Sequence, residues 1–187
     1  MVPEPRSVYA LKFFFTAVVL LSTALGLAKL LIAAFPAEAG LSSWRTVTAF
    51  AISTSFLFCG SGCLYGALIS VRRERQKPFR RWVCAALASG IAFVAVQTYA
   101  LSSLLRQRGA EEFSEETATF VALFATLHAV HFLIAFLCLT YVAVQAFADR
   151  YDHEYFWGIT FCSWFWHALV IVWIAILFVM ILTRLYA

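Results

Sequence analysis

From Tyr155 to Thr183 the chain carries no charged residue. At about 1.5 Å per residue, that run is long enough for a helix to cross a hydrocarbon core of about 30 Å. One ionisable residue, His167, sits near its centre among Trp164, Trp166 and Trp173. Tryptophan ordinarily favours the membrane interface, where its N–H finds water. Indoles and an imidazole this deep predict contact with protein rather than lipid. Other helices must then surround the segment, and the chain supplies further runs of the same kind.

The composition agrees. Of 187 residues, 63% are hydrophobic and only 13% charged, with a mean hydropathy of +0.85. Soluble domains carry about 25% charge. A chain this poor in charge cannot clothe a water-facing surface, so the fold class is an all-α, polytopic membrane bundle. The net charge of +4 does not point to nucleic acid, because the cations cluster at helix ends, where they set topology. Cys59, Cys63, Cys84, Cys138 and Cys162 all fall in apolar runs and are expected to be buried small apolar residues, not a disulfide framework.

One transmembrane domain covers residues 1–187, with spans predicted at about 11–35, 44–71, 82–105, 117–148 and 155–183. Arg6 and Lys12 ahead of the first run imitate a signal peptide, but the segment is read as a retained first span. The second holds Gly60, Gly62 and Gly66, with Ser53, Ser55 and Ser61. Gly62 and Gly66 have the small-xxx-small spacing that lets helices approach closely, expected here to serve packing within one bundle. The third carries Gln97, which must face another helix because an unpaired amide in hydrocarbon is costly. A loop with Glu111, Glu112, Glu115 and Glu116 follows, and Ser114 is placed to cap the fourth span. That span carries His128 and His131, expected on one helix face.

Arg72, Arg73, Arg75, Lys77, Arg80 and Arg81 fill the connection between the second and third spans. This patch predicts a cytoplasmic loop, and with it a cytoplasmic N-terminus. The same side would hold Arg6, Lys12 and Arg150, against Arg45, Arg106, Arg108 and Arg184 on the other. The patch also suits anionic lipid headgroups.

Buried histidines in membrane helices are candidates for function. His128, His131 and His167 leave three readings open: haem ligation by imidazoles on facing helices, proton relay, or hydrogen bonding between helices and to partners. Every Asp and Glu lies at or beyond a span end, which argues against a transporter or proton channel. No phosphate loop or zinc-protease motif occurs. Cys59 and Cys63 lack further metal ligands.

Two motifs resemble a known family. Leu127-His128-Ala129-Val130-His131 resembles the Leu-His-Gly-Leu-His motif of subunit III of the haem-copper terminal oxidases. Trp164-Phe165-Trp166-His167-Ala168-Leu169-Val170-Ile171-Val172-Trp173 resembles that family's last helix, Trp-Tyr-Trp-His-Phe-Val-Asp-Val-Val-Trp. Gln97 in Phe93-Val94-Ala95-Val96-Gln97-Thr98-Tyr99 resembles its third-helix glutamine, and five spans match its short form. The resemblance implies a divergent, non-catalytic accessory subunit of an aerobic respiratory oxidase in a bacterial inner membrane. Such a subunit packs on subunit I, with subunit II nearby, and stabilises the complex and its phospholipids during electron transfer to O2 and proton translocation. Haem and copper are then expected in partner subunits, with no catalytic, cofactor or metal site in this chain. Gln97, His128, His131, Trp164, Trp166, His167 and Trp173 are expected to make structural, lipid or subunit contacts. The chain departs from the family where it usually has carboxylates, reading Phe15 to Leu20 without one in the first helix, then Ala100, Thr160 and Val170. Nitric oxide reductases have accessory subunits of the same fold and motifs, and are the nearest alternative. A haem-binding membrane anchor using His128, His131 and His167 is the alternative of another class.

Overall fold

The computed structural model describes residues 6–34, 43–107, 115–148, 150–151 and 156–186. They form five helices: α1 (Arg6–Ala34), α2 (Ser43–Arg72), α3 (Gln76–Gln107), α4 (Glu115–Phe147) and α5 (Trp157–Tyr186). All five are long and apolar enough to cross a membrane, so the chain is a multi-pass membrane protein. The connections at 35–42 and 108–114, with the proposed cap at Ser114, lie outside the described residues, as do Asp149 and 152–155.

The largest departure in helix bounds is at α3, which begins at Gln76 rather than Trp82. Pro78 does not prevent this, because proline is tolerated in a first turn, where backbone N–H groups lack helical partners anyway. The basic connection is therefore mostly helix, with only Arg73, Glu74 and Arg75 between α2 and α3. Glu74 adopts a left-handed conformation, φ 57°. Its N–H donates to Val71 O at 3.0 Å and the Arg75 N–H to Ser70 O at 3.0 Å. That pair closes the helix end as a left-handed C-terminal cap does.

α2 and α3 pack most extensively, α1 and α4 flank α3, and α5 packs against α2 and α4. Hydrophobicity does not drive helices together in lipid; close packing and hydrogen bonds do. α1 illustrates the first. Its buried residues include Ala17, Ala24 and Ala28, whereas Leu11, Phe14, Phe15 and Leu30 face outward. The central core joins Leu57, Leu64, Phe79, Phe136, Leu139 and Trp166 from α2 to α5.

Where α3 begins and α4 ends, side chains tie the helices together. Gln76 Nε2 donates to Tyr151 O at 2.7 Å, and Arg80 Nε donates to Ala146 O at 3.1 Å. Arg80 so satisfies a carbonyl in the last turn of α4. Arg72 lies over the Phe156 ring at 5.1 Å. Arg73, Arg75, Lys77 and Arg81 are exposed at this end of the bundle.

Two expectations need correction. Gly62 has open space around it, and the close approaches are at Gly60 and Gly66, the latter against Trp82. The cysteines are not uniformly buried: Cys63 and Cys162 are, Cys138 is half-buried, and Cys59 and Cys84 face outward, all five with free thiols. In a bilayer a small apolar side chain serves as well on the lipid face as in the core, so apolar surroundings in sequence do not fix burial.

Candidate functional site

The aromatic residues of α5 meet α2 along a polar seam. Trp166 is fully buried, and its Nε1 donates to Leu57 O at 3.2 Å. Glycines make room for the indole. A Cβ at Gly60 would lie 2.8 Å from Trp166 Cζ2, and one at Gly90 of α3 would lie 3.3 Å from Cη2. Beside it, Ser61 Oγ and His167 Nδ1 are 2.5 Å apart. The other ring nitrogen, Nε2, lies 3.3 Å from Ser163 Oγ, one turn away on α5. A neutral imidazole offers one donor and one acceptor, and hydroxyls complement either tautomer. Two turns beyond Trp166, Trp173 Nε1 donates to Thr54 Oγ1 at 3.0 Å. The Thr54 hydroxyl in turn donates to Phe50 O at 2.7 Å. The pairings 54 with 173 and 61 with 167 run in opposite directions, as antiparallel helices require.

Trp173 also borders a second feature. His128 of α4 is 5% exposed and stacks on the Trp173 indole, with ring centroids 5.1 Å apart at 29°. Both His128 nitrogens are buried with no hydrogen-bond partner among the described residues. Gln97 of α3 is anchored by one atom: Ser53 Oγ donates to its Oε1 at 2.9 Å. Gln97, His128 and Trp173 line one cleft of about 460 Å3, together with residues of α1, the start of α2, and the phenylalanines Phe93, Phe132 and Phe136. Phe93 and Phe132 are in contact, with centroids 4.7 Å apart, and Phe132 meets Trp166 at 5.4 Å. Cleft and seam are thus joined through rings.

The structure brings together Gln97, His128 and Trp173 at the cleft, and Trp166, His167 and Trp173 at the seam. It does not bring in His131 or Trp164. His131 is exposed, and its Nδ1 bonds within its own helix to Leu127 O at 2.7 Å. The shared face predicted for His128 and His131 splits into a buried edge and an exposed one, because three residues on a helix are about 60° apart. Trp164 is 74% exposed. It sits two positions from Trp166, about 200° around α5, and so points away from the interior that holds Trp166.

Sequence reasoning missed the hydroxyls as partners. Ser163 had a signal, being one turn before His167. Ser53, Ser61 and Thr54 had none beyond lying in the same span. Where the resembling family keeps carboxylates, Ala100 and Val170 are buried, and Thr160 Oγ1 donates to Phe156 O at 3.1 Å. Among the described residues, no three His, Cys, Asp or Glu gather as metal ligands. The chain matches no protein-family model and no curated protein.

Proposed function

We propose that the chain is a non-catalytic accessory subunit, like subunit III, of an aerobic respiratory haem-copper oxidase in a bacterial inner membrane. It would pack on subunit I, near subunit II, and stabilise that assembly and its lipids while the partners move electrons to O2 and translocate protons. The basic turn between α2 and α3 would face the cytoplasm, where Arg73, Arg75, Lys77 and Arg81 can meet anionic headgroups.

One observation supports this reading most. Of the residues that carry the resemblance, Gln97, His128, Trp166 and Trp173 come from three different helices, while His131 and Trp164 face outward. The first four nonetheless form one continuous cluster: ring contacts join His128, Trp173, Phe93, Phe132 and Trp166, and Gln97 lines the same cleft. Motif residues that build a shared interior serve a fold that holds helices in register. His131 and Trp164 both face outward, and the rings of His131 and Phe165, the residue after Trp164, have centroids 6.5 Å apart. Polar nitrogens that deep on a lipid face suit contact with another subunit.

Both His167 nitrogens are engaged by serine hydroxyls, which disfavours a haem-carrying anchor built on that residue. The reading is tested by solubilising tagged chain from its native membrane in mild detergent and identifying what copurifies. Large haem- and copper-carrying oxidase subunits are the expected result. Isolation of the chain alone, or with a nitric oxide reductase, overturns it. A Soret band from the purified chain, lost in His167→Ala, would favour the anchor instead.

A further inference from the structure

We propose that the cleft lined by Gln97, His128 and Trp173 binds the headgroup of an isoprenoid quinone drawn from the bilayer. The inference does not depend on the oxidase reading. It rests on the cleft's shape, its polarity, and the state of Gln97 and His128.

The cleft's volume of about 460 Å3 is within the range of small-molecule sites, roughly 300–1,000 Å3. Its walls include Leu25, Leu101 and Leu133, which are 55%, 41% and 42% exposed. These belong to α1, α3 and α4, so the cleft opens sideways between helices, towards hydrocarbon. A ligand therefore enters from the membrane.

Among the described residues, none that lines the cleft is charged. A phosphate or carboxylate would be buried without a counter-charge, which is expensive, so an anionic headgroup does not fit. An acyl chain would suit the leucines and phenylalanines but leave the polar groups unmatched. His128 is the group in need of a partner: it is 5% exposed, it borders the cleft, and both its nitrogens are buried and unpaired. Gln97 has its Oε1 taken by Ser53, which leaves its NH2 as the group for a ligand. Gln97 thus offers N–H donors to the cleft, His128 would add one once its ring turns, and the aromatic walls call for a flat, neutral, membrane-soluble molecule with acceptor oxygens.

A quinone meets each demand. Its carbonyl oxygens lie at opposite edges of a conjugated ring and only accept hydrogen bonds. The ring can lie against the phenylalanine and Trp173 surfaces, and the apolar tail can leave past Leu133. A half-turn of His128 about χ2 keeps the stack on Trp173 while exchanging the two edges of the imidazole, which carries a nitrogen from one side of the ring to the other. The ligand's carbonyl would then accept from that N–H, and its second oxygen from Gln97.

The test uses the purified full chain in nanodiscs of phosphatidylcholine, titrated calorimetrically with a short-tailed ubiquinone and a short-tailed menaquinone. Saturable binding at one site per chain is expected. Gln97→Leu and His128→Phe should each weaken it about tenfold or more, the effect of one lost buried hydrogen bond. Leu133→Trp, at the exposed mouth, should block entry while leaving the core untouched, so it remains informative where a buried variant fails to fold. Trp164→Phe, outside the cleft, should leave affinity unchanged. Non-saturable uptake that is the same in wild type and Leu133→Trp would overturn the proposal. So would saturable binding indifferent to Gln97 and His128, or displacement by a simple fatty alcohol as readily as by a second quinone.

Discussion

The seam between α2 and α5 and the cleft beside it share Trp173, yet they treat polar side chains in opposite ways. In the seam, each indole and imidazole nitrogen of Trp166, His167 and Trp173 has a partner on a described residue, and glycine lets the backbones close on the indole. At the cleft, His128 has neither nitrogen paired and Gln97 is held through one atom. A satisfied polar group in an apolar medium locks helices together; an unsatisfied one costs stability unless something else supplies its partner. The seam therefore reads as architecture, and the cleft as a place kept ready for another molecule.

That contrast can be broken by substitution, and the largest effect is expected at the seam. Trp166→Ala should cost about 3–5 kcal/mol, the range for deleting a buried aromatic ring. Reversible unfolding in mixed micelles, followed by circular dichroism, measures it, and a loss below about 1 kcal/mol would mean the seam is not what holds α5. Gly60→Val should cost about 1–3 kcal/mol by overpacking against the same ring. A restored midpoint in the double variant Gly60→Val with Trp166→Phe would sharpen the assignment to that contact. His167→Leu should lose about 0.6–1.7 kcal/mol for each hydrogen bond removed, the range found between membrane helices.

The sign should reverse at the cleft. His128→Leu removes two unpaired nitrogens, so the isolated chain is expected to keep its stability or gain about 1 kcal/mol. An equal loss at His128 and His167 would erase the distinction between the two regions. The smallest effect belongs to Trp164→Phe, expected within about 0.5 kcal/mol for the isolated chain. Its consequence should emerge only in a complex, as a lower yield of copurified partner.

Much of the fold could be read from residue order alone. Uncharged runs of membrane length have one solution in lipid, a helix, so the five spans were legible. Their ends were less so, as α3 shows: helix geometry can continue into a charged, proline-containing stretch once the chain leaves hydrocarbon. Burial was the hardest to foresee. In water, an apolar residue at helical spacing marks the inner face, but in a bilayer both faces are apolar. Nothing in the sequence therefore separated Trp166 from Trp164, or His128 from His131. The importance of Gln97 could be predicted from the cost of a lone amide, whereas its partner Ser53 could not, because a serine can spend its one hydroxyl proton on its own helix instead, and Phe50 O lies within reach of Ser53 Oγ at 2.9 Å.

The turn at Glu74 bears on how the chain reaches its place in the membrane. Three residues separate α2 from α3, and an extended chain gains only about 3.3–3.6 Å per residue. Such a tether cannot cross a bilayer, so the end of α2 and the start of α3 must share one side at every stage of insertion. The two helices enter as a hairpin, and whatever orients α2 orients α3 with it. The cations around that turn thus act on a two-helix unit, and reversing either helix would require carrying the whole charged end across the hydrocarbon core.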